Sequence, residues 1–150
     1  MYRHLLLPTD GSSLALKGVR AGIGLARALG ARVTAVYVAP EYLPPIYGEA
    51  MVYAAPGGFS PAAWKKHIAG LSAKALGAVE REARKAGVRF ASHCVTDAQP
   101  WAGILRAARA KKCDAVAMAS HGRGGLGGLL LGSETTRVLA HSKIPVIVIR

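Results

Sequence analysis

The sequence predicts an α/β domain, a doubly wound five-stranded parallel sheet with helices on both faces. Three observations carry that reading. Short β-branched or apolar runs alternate with longer segments of helical periodicity, in the order β-α-β-loop-α-β-α-β-loop-α-β. Glycine or proline punctuates most of the junctions, and strands alternating with helices imply right-handed crossovers that cover both sheet faces. The 150 residues suit one domain, and 51% hydrophobic types supply its core.

His4 to Pro8 is an apolar run closed by Pro8-Thr9-Asp10-Gly11, hence a buried strand and a turn. Ser12 to Leu29 repeats Leu14, Val19, Ile23, Ala26 and Leu29 near helical spacing, and Gly30 stops it. Arg32 to Val38 is β-branched and reads as strand two. Ala39 to Ser60 breaks the rhythm with six prolines and glycines from Pro44 to Gly58; so long a connection suggests a lid over a ligand. Pro61 to Ala86 is a helix with proline in its first turn and Gly87 as its stop. Arg89 to Val95 is the third strand, Gln99 to Lys111 a helix with Asp97 as candidate cap, and Asp114 to Ala119 the fourth strand. A glycine-rich loop spans Ser120 to Gly132, a short helix Ser133 to His141, and Ile144 to Ile149 closes the chain. The apolar fourth and fifth strands are expected to be buried on both sides. The last is also expected at a sheet edge, where Val146-Ile147-Val148-Ile149 would invite pairing with a second copy.

Composition narrows the class. No apolar stretch approaches the ~20 residues that span a bilayer, and the N-terminus is too short-lived in hydrophobicity for a signal peptide. A cytoplasmic protein is expected, and no membrane partner. Cys94 and Cys113 lack metal-ligand spacing and read as reduced thiols at core or near-core positions. The net charge of +12 favours contact with anions, yet Lys17, Arg20 and Arg27, then Arg81, Arg84 and Lys85, then Arg106, Arg109, Lys111 and Lys112, have the spacing of solvated helix faces. No aromatics interleave them, so a basic exterior is expected in place of a nucleic-acid groove.

Ligands of open doubly wound sheets bind beyond the carboxyl ends of the strands, where strand order reverses. If strands one and four are neighbours there, Pro8, Thr9 and Asp10 face the segment from Met118 and Ala119 through Ser120, His121, Gly122, Arg123, Gly124 and Gly125 to Gly128. The glycines bare main-chain amides, Arg123 and His121 add charge, and the helix opening at Gly132-Ser133-Glu134-Thr135 offers unpaired N–H groups to an anion. Against phosphate binding stands a flexible loop with Ser133 as an ordinary cap. Asp10 is equally open: it could hold a ribose hydroxyl or base amine, or cap the next helix. No Gly-x-Ser-x-Gly elbow or Walker A pattern is present, and Gly122-Arg123-Gly124-Gly125-Leu126-Gly127 matches the dinucleotide spacing without directly opening a helix.

Leu6-Leu7-Pro8-Thr9-Asp10-Gly11-Ser12 and the stretch from Met118 to Arg150 resemble the universal stress protein family, over essentially the whole chain. Its nucleotide-binding branch carries glycine, two residues, glycine, nine residues, then Gly-Ser or Gly-Thr. Gly122 and Gly132-Ser133 match, while Ala119 replaces the first glycine. The resemblance implies a Rossmann-like, adenine nucleotide alpha hydrolase-like fold and bound ATP, or AMP or ADP. It also implies Asp10 beside the adenosine, the Val38 backbone at adenine, and Met118, Ala119, His121 and Gly122 along ribose and phosphates. Gly132, Ser133, Glu134 and Thr135 would hold the phosphates, with Mg²⁺ on Asp10 and the phosphates, and a homodimer would pair through Val146–Ile149. A regulatory module with little turnover is the expectation. A slow ATPase or autophosphorylating enzyme, and a nucleotide-free module binding acidic partners, are the alternatives.

Overall fold

The computed structural model describes residues 1–43, 60–120 and 132–150. The expected lid therefore lies largely outside the described residues, as do His121, Gly122, Arg123 and Gly125. Nine elements follow one another: β1 (His4–Pro8), α1 (Ser13–Leu29), β2 (Arg32–Ala39), α2 (Pro61–Lys85), β3 (Phe90–Thr96), α3 (Pro100–Ala110), β4 (Ala115–Ala119), α4 (Ser133–His141) and β5 (Val146–Ile149). The strands form one parallel sheet in the order β3-β2-β1-β4-β5. The order reverses between β1 and β4, so the switch point anticipated from sequence exists.

Local chemistry sets the helix ends. Ser12 precedes α1 in extended backbone and its Oγ accepts the Ala15 N–H at 3.1 Å, a serine cap that satisfies one orphan donor. Gly30, at φ 65°, closes the helix while Ala31 N–H reaches the Ala26 carbonyl at 2.8 Å. Ser60 caps α2 through Ala63 N–H, with Pro61 in the first turn.

Each strand is dressed on two sides. Leu5, Leu7, Val33, Ala35, Ala115 and Ala117 face α1 and α2, where Val19, Ile23, Ala26, Val79 and Ala83 cover them. Leu6, Val36, Val116 and Met118 face the other way, onto Ile104, Ala107, Ala108 and Val138 of α3 and α4. Burial of apolar area at about 25 cal/mol per Å² is what holds these layers.

Three expectations, and the alternative that made Ser133 a cap, need correction. Asp97 does not cap α3: its Oδ1 accepts the Gln99 N–H at 3.0 Å and its Oδ2 pairs with Arg106 at 2.8 Å, while Gln99 takes the cap position. Ser133 is the first residue of α4, not its cap, which is Gly132. Cys94 is exposed, on a strand at the edge of the sheet with a neighbouring strand on one side only; Cys113 alone is buried. All four residues of β5 are half-buried, since an edge strand has a neighbour on one side only.

Candidate nucleotide crevice

The crevice opens above the carboxyl ends of β1 and β4. β1 ends at Pro8, and Thr9 continues it by donating its N–H to the Val36 carbonyl at 2.9 Å. The chain then turns sharply: Gly11 sits at φ 82°, a conformation that favours glycine. Its N–H donates to Thr9 Oγ1 at 3.1 Å, and Asp10 Oδ1 accepts the Ser12 N–H at 2.9 Å. This settles the local half of the Asp10 ambiguity. Ser12 is the cap of α1; Asp10 braces the turn before it through one oxygen, and the residue stays exposed at the crevice.

The opposite wall is β4 with α4. Thr135, buried, donates its hydroxyl to the Ala119 carbonyl at 3.1 Å. Thr136 donates both its N–H and its hydroxyl to the Gly132 carbonyl, at 2.9 and 3.1 Å. Thr135 therefore pins α4 to the end of β4 and has no hydroxyl proton left to donate to a ligand. The N–H groups of Ser133, Glu134 and Thr135 donate to no acceptor among the described residues, as the first turn of a helix requires, and they carry the positive end of its dipole.

The Glu134 side chain has a structural partner. Its Oε2 accepts the Trp101 N–H at 2.9 Å, so the carboxylate serves the opening turn of α3, which has no side-chain cap of its own. Arg137 lies 3.6 Å from the other oxygen. Only the backbone of Glu134 remains for an anion.

Between these walls is a cavity of about 310 Å³. Pro8, Thr9, Asp10, Val38, Met118, Ala119, Gly132, Ser133, Glu134 and Thr135 all border it, which brings together every expected site residue among the described ones. Leu14, Val36, Pro100 and Ile104 border it too and were not anticipated. The signal for Pro100 and Ile104 was a four-residue step on one face of α3. It becomes informative only once the crossover places α3 beside α4. The cavity is thus apolar toward Val36, Val38, Ile104 and Met118, and polar toward Asp10 and the start of α4.

Ala119 replaces a glycine without obstructing this space. It ends β4, and its methyl points at α1, where Gly18 makes room: a Cβ on Gly18 would stand 2.6 Å from the Ala119 Cβ. Among described residues other than glycine, only Lys112 has positive φ, so the alanine is unstrained.

A statistical profile of the universal stress protein family matches residues 1–150. A universal stress protein of Thermus aquaticus is 30% identical over 155 aligned positions that cover both chains completely. Two solved structures share the fold. One is a universal stress protein of Archaeoglobus fulgidus in complex with dAMP (TM-score 0.68, 21% identity, 99% of this chain and 98% of that one). The other is a universal stress protein in complex with cAMP (TM-score 0.66, 23% identity, 99% and 97%). Matched over its full length by the family profile, and end to end by a relative at 30% identity, the chain belongs to the universal stress protein family.

Proposed function

We propose that this protein binds an adenine nucleotide, ATP foremost, in the β1–β4 crevice and retains it with little turnover. The observation that carries the proposal is the two-ended cavity at the switch point. Its 310 Å³ falls within the roughly 300–1,000 Å³ of small-molecule sites. A flat purine suits the apolar end at Val36, Val38, Ile104 and Met118. A phosphate suits the unpaired N–H groups of Ser133, Glu134 and Thr135. That relatives of this fold are described with dAMP and cAMP agrees with an adenylate as the ligand class. His121, Gly122, Arg123 and Gly125 extend the reading to the phosphate tail by resemblance to the family.

Asp10 keeps one carboxylate oxygen without a hydrogen bond among the described residues, so it is the residue that would meet a Mg²⁺ carried in on the phosphates. Among the described residues no cluster of three acidic, histidine or cysteine side chains could hold a metal unaided. With the Glu134 carboxylate engaged by Trp101, Asp10 is the one carboxylate among the described residues left toward the phosphates, which supports retention over hydrolysis. Calorimetry with ATP, ADP and AMP tests the ligand class, and phosphate release tests turnover. One-to-one adenylate binding with negligible phosphate release is expected. Steady release that vanishes in Asp10→Ala would instead make the protein an ATPase.

A further inference from the structure

We infer that the pole of the molecule where the strands begin is a docking surface for the phosphodiester backbone of duplex nucleic acid, independent of sequence. It lies opposite the crevice, and all its residues are described. Read helix by helix, the cations look like solvated faces, Lys112 among them; the other four strand starts fall outside that reading.

Each strand of the sheet is approached through an exposed cation. In sheet order these are Arg89 before β3, Arg32 opening β2, Arg3 before β1, Lys112 before β4 and Lys143 before β5. Three are backbone neighbours across adjacent strands: Arg32 N–H donates to the Arg3 carbonyl at 2.9 Å, and Val33 N–H to the Arg89 carbonyl at 2.8 Å. Strands lie about 4.8 Å apart, so the row is roughly 19 Å long. That is about the rise of five or six base pairs at 3.4 Å each.

The simplest alternative is compensation of helix dipoles. It accounts for Arg27, Arg84, Lys85 and Arg109, which lie in the last turns of α1, α2 and α3. It does not account for Arg3, Arg32, Arg89 and Lys143, which belong to no helix and make no ion pair among the described residues. Asp114 lies in the row, its carboxylate accepting the N–H groups of Arg3 and His4, and offsets one of the five charges, while Glu82 is shared by Arg20 and Lys85. A linear row with a surplus of cations matches a linear polyanion better than a lipid surface, which would ask for an apolar face beside the charge. Tyr2 and Phe90, the aromatics nearest the row, are partly buried against the core, so no platform for stacking unpaired bases is offered. A duplex, whose phosphates lie outermost, fits.

Fluorescence polarisation of a labelled duplex of roughly 20 base pairs, as DNA and as RNA, across about 50–200 mM KCl tests this. Binding should weaken steeply with salt. Arg32→Gln/Arg89→Gln/Lys143→Gln should bind about tenfold or more weakly at ~100 mM KCl, with the salt slope reduced by about 2–3. Lys65→Gln/Lys66→Gln/Lys74→Gln removes equal charge from the outside of α2 and should bind as the parent does. ATP affinity and melting temperature should be unchanged in the first variant. Equal affinity for the two duplexes assigns the backbone alone, and a preference for RNA assigns its A-form geometry; either sustains the proposal. It is overturned by absence of salt-dependent duplex binding, by equal weakening in the α2 variant, or by polyglutamate or phosphatidylcholine–phosphatidylserine vesicles binding as tightly as duplex.

Discussion

Ala119 and Gly18 form a matched pair at the residue scale, one small side chain on β4 requiring none on α1. Gly18→Ala would put a methyl 2.6 Å from the Ala119 Cβ and 2.8 Å from its backbone nitrogen. Overpacking of this kind costs about 1–3 kcal/mol, or roughly 3–10 °C in melting temperature for a domain of this size. Adding Ala119→Gly should recover only part of that, because the clash with the backbone nitrogen remains. Thermal melts decide the point, and an unchanged Gly18→Ala variant would refute the close packing. His4 makes a second residue-scale prediction. Burial first, and then the charge of Arg32, hold its imidazole below the ordinary 6.5, against an opposing pull from Asp114 and the Lys112 backbone. A histidine kept neutral in the fold takes up its proton on unfolding, so its contribution is complete above pH 6.5 and declines as pH falls toward the lower folded value. His93 is shifted the same way, by burial and then Lys111. The melting temperature should therefore drop between about pH 7.5 and 5.5, and less so in His4→Gln. A rise on acidification would contradict the assignment.

At the scale of elements, the brace between α3 and α4 matters most for the crevice. Glu134 supplies the side-chain acceptor that α3 lacks, and its loss in Glu134→Ala should cost about 1 kcal/mol, as loss of a helix cap does. ATP affinity should fall a few-fold as the wall loosens. Glu134→Gln, which keeps an acceptor oxygen, should recover most of both. If Glu134→Ala melts as the parent does, the brace has no weight. The elements themselves were legible to within a residue or two, because their stops are local chemistry: Gly30, Pro61 and Gly87 act on their own neighbours. The caps were not. An Asp two residues ahead of the cap position bonds the N–H of the cap residue, as Asp10 does with Ser12 and Asp97 with Gln99. In sequence that turn looks like a cap. The brace made by the Glu134 side chain was not legible either, since its partner, Trp101, lies 33 residues away. Cys94 was misplaced because apolar alternation marks a strand without revealing that it forms an edge.

Among the described residues the sheet ends in two edge strands, β3 and β5. Half-buried Val146–Ile149 offers an unpaired edge that a second copy can cover, so a homodimer is expected at twice the 15.6 kDa chain mass. Sedimentation equilibrium that finds only the single-chain mass would exclude it. The crevice depends on this scale as well. Its walls are distant in sequence and meet only because β1 lies beside β4, an adjacency that sequence supported conditionally and the sheet order establishes. Lining by Pro100 and Ile104 could not be read earlier, since it needs α3 and α4 on one sheet face. The most direct measurement is a calorimetric titration of ATP into the parent and into Gly132→Val, which places a branched side chain where the first-turn N–H groups of α4 face the cavity. Tenfold or greater weakening, about 1.4 kcal/mol, in a variant that still folds is the predicted result. Equal ATP affinity in the two folded proteins would contradict it.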